Sequence, residues 1–69
     1  MTVSYDKLWK LLIDKKLTKT ALCNLTDMSS STMAKMSKNE TVSMEVMLRI
    51  CKVLDCNIGD IMDAEKEEI

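Results

Sequence analysis

The chain contains no proline, no histidine and no phenylalanine, and a single glycine in 69 residues. That scarcity, with Leu, Met, Lys, Glu and Ala recurring and few β-branched residues in alternating runs, points to an all-α domain. Without histidine or a glycine-rich phosphate loop, the usual components of acid–base and nucleotide chemistry are missing. Asp60 with Asp63, and the run Glu65, Glu67 and Glu68, read as a helix end and solvated charge, so no enzyme is expected. The three cysteines, Cys23, Cys51 and Cys56, are an odd count without the density of a disulfide scaffold. Cys51 and Cys56 also miss the Cys-x-x-Cys spacing of a structural zinc site, so neither metal nor cofactor is expected. A redox switch would need surroundings that favour the thiolate. Buried small apolar side chains are the simpler reading. Long hydrophobic runs are absent too: Leu11, Leu12 and Ile13 are far too few to cross a bilayer. The first five residues lack the basic flank and apolar core of a signal peptide, which places the expected location in the reducing cytoplasm.

What is present is small and polarised. A chain of this length makes one domain at most and buries only about 60% of its unfolded surface. The net charge of −1 conceals two unlike halves. Residues 1–39 carry seven lysines against Asp6, Asp14 and Asp27, whereas residues 40–69 carry Arg49, Lys52 and Lys66 against eight acids. Such an asymmetry suits a molecule that turns one face to a polyanion, although lysines also simply solvate helices.

Five helices are expected. Ser4 can cap the first, which runs to about Lys16 with Leu8, Leu11 and Leu12 as its buried stripe and Trp9 and Ile13 as a second apolar pair. Thr18 is placed to cap a second helix from Lys19 to about Leu25, and Ser29 a third to about Ser37. After a polar connection, Ser43 caps a fourth helix, Met44 to about Leu54, lined by Val46, Met47, Ile50 and Val53 or Leu54. Asn57 caps a final short helix, with Asp60 near its positive end and Ile58, Ile61 and Met62 facing inward. The acidic residues from Ala64 to Ile69 are expected to fray. The domain is accordingly assigned to residues 1–64 and an acidic tail to residues 65–69.

The most informative stretch is residues 17–38, two short helices joined by a tight turn. Cys23, beside the core residue Leu22, is small enough for a close helix crossing. Met33 and Met36, three apart, are spaced to anchor the third helix, and Asp27 can take the positive φ the turn requires. Leu17-Thr18, Leu22, Cys23, Met28-Ser29, Ser31-Thr32-Met33 and Met36 together resemble the lambda-repressor/Cro-like (XRE) helix-turn-helix family. Residues 48–62 look like that family's fourth and fifth helices, so the resemblance covers roughly residues 5–63. Cys23 stands where the family usually has alanine, and Asp27 where it usually has glycine.

The resemblance implies that the third helix lies in the major groove of double-stranded DNA, where about eight residues span ~12 Å. Carried over by position, Ser30, Ser31 and Lys35 would face base edges. Lys19, Ser29, Thr32, Lys38 and Asn39 would contact the backbone. Serine discriminates little between bases, and Lys35 alone offers a clear preference, for guanine. Modest direct readout is expected, assisted by water or DNA shape. The implied function is a sequence-specific transcriptional regulator, most simply a repressor acting by occlusion, with no small-molecule ligand. In this family the last helix often mediates pairing, which allows a homodimer on a two-fold site. Trp9 reads as core, while Ile13, Ile58, Ile61 and Met62 stay open between core and dimer surface. The rival reading is a helix-turn-helix fold used as a protein-interaction module, of antitoxin or anti-repressor type, in keeping with the acidic second half.

Overall fold

The computed structural model describes residues 2–66. Its element order is β1 (Thr2–Ser4), α1 (Asp6–Asp14), α2 (Lys19–Thr26), α3 (Ser30–Ser37), α4 (Met44–Leu54), a 3₁₀ turn (Ile58–Asp60) and β2 (Asp63–Glu65). Among the described residues the fold is mostly helical, with four α-helices and one small strand pair. Three helices start where hydroxyls stand. Thr18 Oγ1 accepts from Ala21 N at 3.0 Å, Ser29 Oγ from Thr32 N at 3.2 Å and Ser43 Oγ from Val46 N at 3.3 Å. Each bond satisfies an N–H that the first helical turn leaves without a partner.

The helices also share one way of ending. Lys16, Asp27, Asn39 and Asp55 all take φ between 52° and 58°, one after each α-helix. The next residue then donates back across the last turn: Leu17 N to Leu12 O, Met28 N to Cys23 O, Glu40 N to Lys35 O and Cys56 N to Cys51 O, at 2.9–3.1 Å. This is the Schellman geometry, which ordinarily recruits glycine at the left-handed position. Gly59, the one glycine of the chain, sits elsewhere, in the 3₁₀ turn with open space around it.

The core joins all the helices. Leu8 and Leu12 of α1, Leu22 of α2, Met33 and Met36 of α3, and Met47, Ile50 and Leu54 of α4 are buried, together with Tyr5, Met28 and Ile61. On α4 it is Leu54, not Val53, that completes the stripe, and Val53 is 37% exposed. Tyr5 ties the N-terminal end to the loop after α3. Its hydroxyl donates to the Glu40 carbonyl at 2.8 Å, and its N–H donates to Asn39 Oδ1 at 3.4 Å.

Three expectations require correction. The fifth helix is a single 3₁₀ turn. The Asp60 carboxylate does accept from Asn57 N at 3.0 Å, but Ile61 must drop fully into the core and the chain turns extended at Asp63, which leaves no room for a second turn. Ala64 and Glu65 do not fray; β2 pairs antiparallel with β1 in the register Thr2 with Glu65, Val3 with Ala64 and Ser4 with Asp63. The expected tail residues Glu67, Glu68 and Ile69 lie outside the described residues. Ser4 belongs to β1 and is buried, and α1 begins only at Asp6, whose N–H reaches Ser4 Oγ at 3.4 Å.

Candidate nucleic-acid interface

α2 and α3 form the corner anticipated from residues 17–38. Met33 and Met36 fix α3 on the core, and Met28 closes the turn from beneath. At about 3.6 residues per turn, burial of Met33 and Met36 turns Ser30, Ser31, Ala34 and Lys35 outward, and all four are exposed. Thr32 lies half-buried on one flank. On the other flank, Ser30 borders a groove of about 330 Å³ between α2 and α3, with Lys19, Thr20, Cys23, Asn24, Met28 and Met33 as its other walls.

Ser29 and its neighbours are occupied with each other. Ser29 Oγ accepts from Thr32 N and also lies 3.0 Å from Ser31 Oγ and 2.9 Å from Thr32 Oγ1. The capping role of Ser29 is therefore built into the fold, and Ser30 and Lys35 are left as the exposed polar groups without such ties. Lys38 and Asn39 follow at the far end of α3, both exposed. No acid occurs from Met28 to Asn39, so the exposed face of α3 carries only positive charge. Asn39 has a structural duty as well, since it takes a left-handed conformation and accepts from Tyr5 N.

Lys19, at the first position of α2, completes the group. Its Nζ donates to Ser37 Oγ at 3.2 Å and stands 4.2 Å from the centroid of the Trp9 ring. Thr20, Asn24, Ser37 and Trp9 did not emerge from sequence reasoning as parts of this surface. Thr20 and Asn24, four apart on α2, share one face and could have been grouped from helix spacing, whereas Ser37 and Trp9 come from other helices.

The arrangement is a polar, cationic helix presented outward from the α2–α3 corner, with serines at its head and Lys19, Lys35 and Lys38 toward its far end. The sequence matches the family model of the Cro/C1-type HTH DNA-binding domain over residues 7–67. The chain belongs to that family. A crystal structure of the transcriptional regulator VanUg is similar throughout, with a TM-score of 0.93 and 52% sequence identity, covering 96% of this chain and 88% of that one. No curated protein matches the chain. In the terms of the family, α2 and α3 are the helix-turn-helix, and α3 is the second helix of that motif.

Cys51 and Cys56 lie away from the groove that Cys23 lines. Burial, then the adjacent Cys51 and the Asp60 carboxylate, push the Cys56 thiol above its usual value, with Lys15 acting the other way. The neutral thiol is thus favoured, the opposite of what a reactive cysteine requires. No helix among the described residues is long and apolar enough to cross a membrane.

Proposed function

We propose that this chain is a sequence-specific transcriptional regulator that inserts α3 into the DNA major groove, most simply repressing by occlusion of its site. Ser30, Ser31 and Lys35 meet base edges, and Lys19, Ser29, Thr32, Lys38 and Asn39 meet the backbone. The observation that carries this reading is the exposed, acid-free face of α3, with serines at its head and Lys35, Lys38 and the Lys19 ammonium gathered toward its C-terminal end. Phosphate-contacting groups set the register of a helix in the groove, and the side chains between them then meet defined base pairs. Likeness to a transcriptional regulator over nearly the whole chain supports the same assignment. A homodimer would read two half-sites related by a two-fold axis.

A second reading, an interaction module for another protein, is favoured by one observation. Leu25, Met44 and Leu48 are 57%, 58% and 55% exposed on α2 and α4, outside the proposed DNA face. One experiment separates the two. Fluorescence anisotropy with duplex from upstream of the chain's own gene, at several salt concentrations and against a random duplex, should give binding about a thousandfold tighter than the control. That binding should weaken steeply with salt, as counterion release demands. Absence of binding even at low salt overturns the DNA reading and leaves the interaction module.

A further inference from the structure

Lys19 is held from two sides by groups that carry no charge. Its ammonium faces the Trp9 ring at 4.2 Å and donates to the Ser37 hydroxyl at 3.2 Å, so α1 and the last residue of α3 converge on one cation at the start of α2. Among the described residues, the other basic side chains with partners, Lys7 and Arg49, lie against the carboxylates of Asp63 and Glu45. Lys19 instead has no carboxylate partner among the described residues, and an ammonium with three donors can serve the hydroxyl and still offer N–H groups to an anion.

The platform beneath it is fixed. Trp9 is half-buried against the core and packs at a tilt on Tyr5, with ring centroids 6.5 Å apart. Tyr5 in turn is buried and anchored to the Glu40 carbonyl. Trp9, Leu12, Ile13 and Leu17 line a shallow apolar concavity that Lys19 also borders, so its methylene stem lies along apolar surface while its head stays at the rim.

We propose that Trp9 and Ser37 are positioning residues that preset the Lys19 ammonium for a single DNA backbone phosphate beside the end of α3. This rests on the reading of α3 as the groove-binding helix. A free lysine gives up rotamer freedom when it meets a phosphate, whereas one already pinned loses little. The cation–π contact and the hydrogen bond thereby act on affinity through Lys19, without touching DNA.

The test is a pair of double-mutant cycles, read by anisotropy on the operator duplex. Trp9→Leu should weaken binding about two- to fivefold, and Ser37→Ala about two- to threefold. Both losses should vanish in a Lys19→Met background, and Trp9→Phe, which keeps a ring face, should restore most of the affinity. Ser37 is exposed, so Ser37→Ala leaves the core intact and decides the matter alone if Trp9→Leu fails to fold. If Lys19→Met weakens binding but the Trp9 and Ser37 losses persist undiminished in that background, the positioning role is overturned while the DNA reading stands. If the unmodified protein binds no duplex at any salt concentration, both fall together.

Discussion

Lys16→Gly is expected to stabilise the domain by about 0.5–1 kcal/mol, against the usual direction of a glycine substitution. Lys16 follows α1 at φ 58°, and its backbone N–H and that of Leu17 close the helix end on Ile13 O and Leu12 O. An L-residue held there carries about 1–2 kcal/mol of strain that glycine does not. Glycine loses roughly 0.5–1 kcal/mol more freedom on folding, and the difference still favours it. Nothing offsets that gain, because the exposed Lys16 side chain makes no hydrogen bond or ion pair among the described residues. Asp27→Gly and Asp55→Gly should gain less, about 0.5 kcal/mol, since aspartate tolerates this conformation through local hydrogen bonds. Asn39→Gly should gain nothing, because it also removes the acceptor for Tyr5 N. Thermal unfolding at neutral pH reads the series, with 1 kcal/mol worth about 4–8 °C in a domain of this size. Ala34→Gly, on the exposed side of α3, is the control and should cost about 1 kcal/mol. A Lys16→Gly protein that melts as low as the Ala34→Gly protein would refute the idea that strain is stored at the helix ends.

Tyr5→Phe should cost about 1 kcal/mol, the net worth of its buried hydroxyl bond to the Glu40 carbonyl. The same phenol gives an alkaline signature. Burial raises its pKa above the ordinary 10.0, with a backbone hydrogen bond from Val42 opposing. The unfolded chain therefore releases this proton first, so its contribution is fully present below pH 10 and is lost as pH rises through the folded value. Urea midpoints measured from pH 8 to 11 should fall less steeply for Tyr5→Phe than for the unmodified chain. Gly59→Ala should stabilise by about 0.4–1 kcal/mol, since a Cβ there meets nothing within 4 Å and φ is not positive; calorimetry checks it. Ser29→Asp should keep or slightly raise stability, because aspartate caps as well as serine and suits the helix dipole. It should nonetheless weaken operator binding at least fivefold by setting a carboxylate near the DNA backbone. Lys35→Ala should reduce the preference for guanine at one operator position, seen as a flattened profile in a competition series of single-base variants.

Much of the helical frame was legible because its signals are local. A hydroxyl at Thr18, Ser29 or Ser43 needs to reach only three residues ahead to cap, and Met33 with Met36 needs only helical spacing to mark the buried side of α3. The left-handed turn at Asp27 was legible for the same reason. The strand pair was not. Asp63-Ala64-Glu65 is fully exposed and has neither the β-branched composition nor the alternation of a strand. It is extended because Thr2–Ser4 offers it an edge, and that partner comes from the opposite end of the chain. The short fifth helix misled for a related reason. The Asn57–Asp60 cap marks a helix start faithfully but says nothing about length, which is set by the demand that Ile61 enter the core. Trp9, Lys19 and Ser37 come from three helices, so no spacing along the chain could assemble them.

The serines of α3 illustrate how a cap and a reading surface share the same residues. Taken alone, a hydroxyl cluster at a helix head is more often a cap than a ligand site, and Ser29 behaves accordingly, with its oxygen engaged by Thr32 N and two neighbouring hydroxyls. A hydroxyl so engaged has little capacity left for a base. If α3 enters the groove as proposed, direct discrimination falls mainly on Ser30 and Lys35, with Ser31 sharing its hydroxyl with Ser29, too few groups for the bidentate pairs that give about 1–3 kcal/mol each. A helix with so few base-reading groups can still select a site if its depth and angle in the groove are tightly set, because sequence-dependent groove shape is then read as strain. Tight setting requires backbone anchors that do not wander. Lys19, clasped between Trp9 and Ser37, meets that requirement, and so does Asn39, pinned to the Tyr5 backbone. On the proposed reading, the anchoring of Lys19 and Asn39, more than the base-reading chemistry of α3, sets which DNA is chosen. Operator variants altered at uncontacted base pairs should therefore change affinity as much as variants at the Lys35 position.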